Sequence, residues 1–293
     1  MSPERGWSMT DRARAPVLLT GASGRVGRMV LRHWPVAAVP VVPQYRRTPP
    51  TGALLWDPME GARALVEYQA RRGQKFGTLV MLAGVVPGEG RDLSQNRILA
   101  EATLAAAHLA GIPRVLLASS SAVYGPGEHI TEDTACAPDN AYGAAKLEME
   151  AVGHAWRDRG LEVCALRIGN VAGADALLLN VARRAGEITL DVFADGAGPL
   201  RSYIGARTMA QVLATLCLHE GVLPLALNIA APGPVTMAAL AQAARASIRP
   251  RPAPPTAHQR ITLDCTRLAA LHAFAPEDST PSEMVRQWRA VTP

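Results

Sequence analysis

Short aliphatic runs alternate with longer stretches of helical periodicity through the first half of the chain. That alternation predicts a parallel sheet wrapped by crossover helices. The runs place strands at Val17–Thr20, Val39–Val42, Ala53–Trp56, Thr78–Ala83, Arg114–Ser119 and Glu162–Arg167, with a further one at Leu225–Ala230. Between the fourth and fifth, Asn96–Ala110 has helical spacing and stops at Gly111, a natural carboxy-terminal stop. Tyr142–Arg159 reads as a second long helix closed by Gly160. After Ile168 the alternation breaks. Residues 171–205 and the stretch from Pro232 onward read as loops and short helices over the sheet's carboxyl edge. The proline-rich run Arg249–Pro255 reads as an extended loop inside that lobe. The expected architecture is α/β: a doubly wound parallel sheet in residues 15–170 and 206–231, with a small C-terminal substrate lobe in residues 171–205 and 232–293.

Composition agrees with a globular chain. At 293 residues and 48% hydrophobic content it can bury a full core. Charged residues are 19% and mixed in sign, which argues against disorder. A formal charge of +5 and a pI near 9.3 suit an anionic, phosphate-bearing ligand. The arginines are scattered, without a stripe or interleaved aromatics, so no nucleic-acid partner is expected. Cys136, Cys164, Cys217 and Cys265 lie far apart with no C-x-x-C pair and no clustered histidines. Neither a disulfide framework nor a metal site is expected, and reduced thiols in a cytoplasmic enzyme are the default. The first fifteen residues, through Arg12, Ala13 and Arg14, are polar and hold no apolar signal core. No apolar run approaches the roughly 18 residues a membrane span needs, so no membrane partner is expected.

The first strand runs straight into Thr20-Gly21-Ala22-Ser23-Gly24-Arg25-Val26-Gly27. Gly21 permits a tight turn, Gly24 lets backbone amides approach a pyrophosphate, and Gly27 allows close packing of helix on strand. The helix that follows offers free N–H groups and the positive end of its dipole. Ser23, Arg25 and Val26 of the same turn join the expected dinucleotide contacts. An NAD-selective site carries an acid about twenty residues on, ready for the ribose hydroxyls. Here the stretch reads Gln44-Tyr45-Arg46-Arg47, with Tyr45 roughly at the acid's position. Two guanidinium groups suit a 2′-phosphate, so the expected cofactor is NADP, with NAD open.

Tyr142-Gly143-Ala144-Ala145-Lys146 puts a phenol and an ammonium one turn apart on a helix face. A phenol titrates near 10, and a fixed positive charge nearby favours the phenolate, bringing an acid–base group toward neutrality. Lys75 and Lys146 are the only lysines in a chain with 30 basic residues. A lysine at 146 therefore implies a role that arginine's bulkier fork cannot fill. A third member is expected at the carboxyl end of the fifth strand, where Ser119-Ser120-Ser121-Ala122-Val123-Tyr124-Gly125 supplies hydroxyls.

The order and spacing of these segments resemble the extended short-chain dehydrogenase/reductase superfamily, that is, the NAD-dependent epimerase/dehydratase family. The T-G-x-x-G-x-x-G turn, the Ser-Ser-x-x-Val-Tyr-Gly segment and Tyr142-x-x-x-Lys146 carry the likeness, which runs from about Val17 to Ile204 and faintly to Leu268. The resemblance implies a Rossmann fold and selects Ser120, with Tyr142 and Lys146, as the catalytic set. It adds Leu82, Ala83, Gly84, Asn96 and Asp57 to the cofactor contacts, and Lys146 as a holder of the nicotinamide ribose. It implies a nucleotide-sugar substrate met by Ser121, by Asn170 of Arg167-Ile168-Gly169-Asn170-Val171, and by Arg201 at a diphosphate. It also implies a homodimer through the Tyr142 helix and the one before it. Sugar-nucleotide 4,6-dehydratases carry Asp-Glu where this chain has Ser121 and Ala122. GDP-fucose synthases carry a cysteine at Ala122. A 4-epimerase or a simple reductase/dehydrogenase is what remains, with a smaller sugar acid or other hydroxy/keto compound as the alternative substrate and a non-catalytic NADP-binding regulator as the alternative class. One departure stands out: the family's two acids in a Val-Asp-Asp segment are replaced by Gly205-Ala206-Arg207-Thr208.

Overall fold

A computed structural model describes residue 12, residues 15–183 and residues 186–291. Ala13 and Arg14 of the polar leader, and Thr292 and Pro293 of the lobe, lie outside the described residues. The chain begins with β1 (Val17–Thr20), α1 (Arg25–His33), β2 (Val41–Tyr45) and β3 (Leu54–Leu55). Then come α2 (Arg63–Arg72), β4 (Thr78–Met81), α3 (Gln95–Leu109) and β5 (Arg114–Ser120). A short β6 (Gly127–Ile130) precedes α4 (Ala141–Arg157), β7 (Glu162–Ile168), β8 (Asn170–Val171) and α5 (Ala176–Arg183). The remainder holds β9 (Glu187–Val192), β10 (Leu200–Arg201), β11 (Tyr203–Ile204), α6 (Ala206–Leu218), β12 (Ala226–Ile229) and β13 (Val235–Thr236). It continues with α7 (Met237–Ala243), β14 (Ser247–Pro252), β15 (Arg260–Leu263), α8 (Thr266–Ala269) and α9 (Pro281–Arg289).

Seven strands form one sheet in the order β12-β7-β5-β4-β1-β2-β3, every pairing parallel. This is the doubly wound Rossmann arrangement. The pleat sorts each strand between two cores. Val17, Leu19, Val80, Leu116 and Leu166 pack on one face with α1 and α6. Leu18, Leu79, Met81, Val115 and Leu117 pack on the other against Leu104 of α3 and Met149 of α4. Both faces are covered, which is why the strands read as unbroken aliphatic runs. Each fully buried leucine there contributes about 1.5–3 kcal/mol.

A buried arginine ties the amino-terminal edge of the sheet to a helix end. Arg114 is fully buried and donates to Glu162 at 3.0 Å, and to the carbonyls of Leu216 at 2.9 Å and His219 at 2.7 Å. It thereby satisfies carbonyls that α6 leaves open at its end.

Smaller sheets lie outside the central one, β13-β10-β15-β6, β11-β8 and β14-β9, and the first of them joins β6 from the first half of the chain to strands of the second. The proline-rich run is a correction to the sequence reading, because most of it is strand rather than loop. Ser247–Pro252 pairs parallel with β9 over its whole length. The amides of Ser247 and Ala253 donate toward β9, to the carbonyls of Gly186 and Val192. By the two-residue period, Pro250 and Pro252 stand where an N–H would face away from β9, the one place a strand tolerates proline. Helix α9 docks against the amino end of α6. Gln287 Oε1 accepts from the amides of Arg207 at 2.9 Å and Thr208 at 3.1 Å, and Thr208 donates to Asp278 at 2.8 Å. Acceptors that the missing Val-Asp-Asp acids do not supply thus arrive from a distant segment. Among the described residues, no helix is long and apolar enough to cross a membrane.

Candidate active site

Two cavities open at the carboxyl ends of the strands, where the crossover direction reverses between β1 and β4 and α/β sheets bind ligands. The first, of about 330 Å³, lies over the glycine turn and meets Ser23, Gln44, Arg46 and Met59. The second, of about 320 Å³, meets Ser120, Tyr142, Lys146, Asn170 and Asp175. Leu82, Gly84 and Val85 line both, so the loop after β4 is their common wall, and Ala83 faces the first.

The glycine turn is shaped as its sequence requires. Gly21 has φ +76°, and a Cβ there would lie 2.5 Å from the Ala83 nitrogen. A Cβ on Gly27 would sit 2.2 Å from the Gly21 carbonyl oxygen. Helix α1 starts at Arg25 with extended Gly24 as its cap and no side chain on its first amides. Those open amides and the close backbone approach fit a dinucleotide's pyrophosphate. Val26 faces the second cavity. Arg25 reaches from the turn to the carbonyl of Ala174 on that cavity's far wall, at 3.5 Å.

At the end of β2 the sequence reading is corrected. Tyr45 does not line the cavity, because the pleat turns it, half-buried, against the core. Gln44, buried, faces the cavity instead. Its Oε1 accepts from the Gly21 amide at 3.3 Å and its Nε2 donates to the Trp56 carbonyl. Arg46 lines the cavity, whereas Arg47 is exposed outside it. Asp57 caps the short turn after β3, accepting from the Met59 amide at 3.0 Å, and its neighbours Pro58 and Met59 form the wall. Asn96 is fully buried and lines neither cavity. Its amide brackets Val85, donating to the carbonyl and accepting from the N–H, both at 2.9 Å, so it fixes the shared loop.

Strand β5 delivers the hydroxyls and α4 delivers the phenol and ammonium. Asn140 caps α4 by accepting from the Gly143 amide at 2.9 Å. A Cβ on Gly143 would fall 2.1 Å from the Ala122 carbonyl oxygen, so only glycine lets the helix start this close to the turn after Ser120. Tyr142 and Ser120 thereby line the same cavity. Lys146, 4% exposed, donates to the Ala118 carbonyl at 2.8 Å, with its Nζ 5.9 Å from the Tyr142 ring centre. Burial raises the phenol above its ordinary 10, with Ser120 opposing. The expected lowering by Lys146 is therefore not met in the protein alone, where burial is the largest influence on the phenol. Burial likewise lowers Lys146 to about 8, opposed by Glu150.

The serines part company. Ser119 and Ser120 both line the second cavity, Ser119 donating its hydroxyl to Glu150, and Ser121 opens a short turn and lines neither cavity. Asn170 faces the cavity and donates to the Ser202 carbonyl at 3.4 Å. Arg201 lines neither cavity. Its guanidinium is spent within the lobe on the carbonyls of Leu200 and Gln259 at 2.8 Å and His258 at 2.6 Å. Three residues escaped the sequence reading. Asp175 is, among the described residues, the one carboxylate on the second cavity's wall, held by the Gly173 amide at 3.1 Å and by Tyr203 at 3.2 Å. Glu150 stands four residues past Lys146, a helical spacing open to notice. Gln44 was legible from the two-residue period of β2. Among the described residues, no group of three or more His, Cys, Asp or Glu could hold a metal ion.

The sequence profile of the NAD dependent epimerase/dehydratase family matches residues 17–230. A UDP-glucose 4-epimerase of Azospirillum brasilense is 35% identical over 184 residues, which covers 57% of this chain and 53% of the relative. One from Lactobacillus helveticus is 42% identical over 71 residues, 23% of this chain and 21% of that one. The match thus spans about half the length of the first relative and less of the second. Among solved structures, the UDP-glucose 4-epimerase of Thermus thermophilus in complex with NAD superposes with a TM-score of 0.73 at 21% identity, covering 94% of this chain and 99% of that one. MoeE5 in complex with UDP-glucose and NAD gives 0.74 at 23%, covering 94% and 98%. Identities this low speak for the fold alone. The profile match takes in both cavities and every strand of the central sheet, and the chain belongs to the NAD-dependent epimerase/dehydratase family.

Proposed function

We propose that the chain is an NAD(P)-dependent enzyme that moves a hydride to or from a sugar carbon, as a 4-epimerase or a reductase/dehydrogenase, with a nucleotide sugar as substrate. The observation that carries this reading is the meeting of Ser120, Tyr142 and Lys146 in a cavity sharing a wall with the glycine turn. The relatives named UDP-glucose 4-epimerase support the substrate class. Ser120 holds the substrate oxygen and Tyr142 Oη gives or takes its proton. Lys146 places a positive charge beside that phenol and reaches the nicotinamide ribose. A bound nicotinamide supplies or accepts the hydride. Asn170 contacts the sugar. Glycine-turn amides with Ser23 and Arg25 hold the pyrophosphate, and Arg46, with Arg47 beyond it, favours NADP over NAD.

In this reading residues 15–170 and 206–231 form the dinucleotide domain, and residues 171–205 and 232–293 the substrate lobe. Helices α3 and α4, packed side by side, are the surface on which two copies pair.

The test is direct. Purified protein receives UDP-glucose or UDP-galactose with NAD or NADP, and proton NMR follows inversion at C4 and any change in the cofactor. Inversion without net cofactor consumption identifies an epimerase; stoichiometric consumption identifies a reductase or dehydrogenase. A second reading, a smaller hydroxy or keto substrate, is favoured by Arg201: its guanidinium is occupied by three carbonyls, and among the described residues no arginine lines the second cavity. Calorimetry separates the two. UDP that fails to bind at millimolar concentration removes the nucleotide-sugar reading and leaves the smaller substrate.

A further inference from the structure

Beneath the Ser120–Tyr142–Lys146 set lies a polar network shut away from solvent. The Glu150 side chain is 1% exposed and that of Arg167 is 8%. Glu150 accepts from the hydroxyl of Ser119 and takes the Arg167 fork, from Nη2 at 2.9 Å and from Nε at 3.2 Å. Arg167 Nη1 donates onward to the Tyr124 hydroxyl at 2.9 Å, and Tyr124 donates to Asn228 at 2.8 Å. One carboxylate therefore ties three elements: α4, which carries Tyr142 and Lys146; β5, which carries Ser120; and β7, which leads to Asn170. It also stands one helical turn from Lys146, whose ammonium is buried against the Ala118 carbonyl.

Resting on the Ser-Tyr-Lys reading, we propose that Glu150 is a positioning residue of this site: its buried carboxylate fixes the catalytic helix to Ser119 and Arg167 and keeps Lys146 charged. An ammonium taken out of water is costly unless an opposite charge compensates it. Glu150 is the group that opposes the burial of Lys146. The groups around this pair are Tyr142 on α4, Arg167 and Cys164 on β7, and Tyr124, Glu132 and Cys136 on the segment after β5. Burial pushes Cys164 and Tyr124 up to about 12 and raises Cys136 and Tyr142 above their ordinary 9.0 and 10.0. Those four shifts all lead away from pH 8, near which Lys146 changes charge. A conservative change at Glu150 therefore has a signature that loss of packing alone does not produce.

The chain's two lysines make the experiment clean. Protein labelled with ¹³C at lysine Cε gives signals from Lys75 and Lys146 alone. In the wild type, one signal titrates near pH 8 and disappears in Lys146→Arg. In Glu150→Gln, which keeps an acceptor for Ser119 but removes the charge, that titration moves to lower pH. The alkaline limb of kcat/KM moves with it, and kcat falls by up to about a hundred-fold as the helix loses its register. If Glu150→Gln leaves Arg167 unpaired and unfolded protein results, Glu150→Gln with Arg167→Gln keeps the pair neutral, and the lysine titration should move in the same direction by less, since a positive charge is removed as well. An unmoved lysine titration in the folded variants overturns the proposal. Turnover retained in Tyr142→Phe would instead overturn the reading beneath it, and the lysine signal, which needs no turnover, tells the two failures apart.

Discussion

The amide of Gly21 donates to Oε1 of Gln44 at 3.3 Å, so the phosphate turn and the end of β2 are joined through one neutral side chain. Its other end holds the Trp56 carbonyl, which places three segments of the first cavity under a single amide. A carboxylate here would repel a 2′-phosphate, and an amide does not. The expected outcome is that Arg46→Ala with Arg47→Ala weakens NADP binding by about ten-fold or more and leaves NAD binding nearly unchanged, as lost charge-assisted contacts imply. Gln44→Glu should tilt the preference toward NAD. Equal losses for both cofactors, read by calorimetry, would show that these arginines are solvated loop charges.

Tyr142→Phe should reduce turnover by about 10²–10⁴-fold with cofactor affinity nearly intact, because only the proton-transferring oxygen is removed. Lys146→Ala should damage both. The pH dependence has a definite sign. Lys146 is lowered to about 8, so its ammonium is present below that pH and is lost above it. In the free enzyme, kcat/KM should therefore fall as pH rises through 8. A profile flat to pH 9 would remove the charged lysine from the mechanism.

Arg114 is a prediction about stability alone. Its side chain is fully buried, while Glu162 is 14% exposed and also meets Arg12 at 3.0 Å. Arg114→Met strips Glu162 of one of its two arginine partners and the Leu216 carbonyl of its side-chain donor, while His219 keeps Arg12. The expected loss is about 3–5 kcal/mol, as for breaking other buried pairs. Denaturant unfolding checks it, and a change within about 0.5 kcal/mol would place Arg114 with ordinary surface positions.

The central sheet was legible because strands buried on both faces carry continuous aliphatic runs. Each predicted strand has its counterpart within a few residues. The end of β2 shows why edges were missed. Pro43 looks like a stop, yet β3 reaches only Gln44 and Tyr45, so Pro43 sits beside an unpaired flank and the strand runs on. The lobe was read least well. Its strands form pairs or small sheets of long sequence separation, and Arg249–Pro255 carries a composition that serves loop and edge strand alike. Within the site, Tyr142, Lys146 and Ser120 could be found because their spacing is local. Arg201 could not be placed, since its partners Gln259 and His258 come from a segment that no local pattern ties to it.

Gln287 caps the amino end of α6 from 80 residues farther along the chain. During synthesis the sheet strands, the glycine turn and the helix bearing Tyr142 all leave the ribosome well ahead of it. Until Asp278 and Gln287 emerge, the first amides of α6 must make do with water. A nascent chain can therefore gather the dinucleotide side of the molecule early, while the lobe beside the second cavity is locked only afterwards. A message cut short before Asp278 would release a chain with its sheet intact and that lock missing, a species for proteases to recognise rather than an enzyme of half strength.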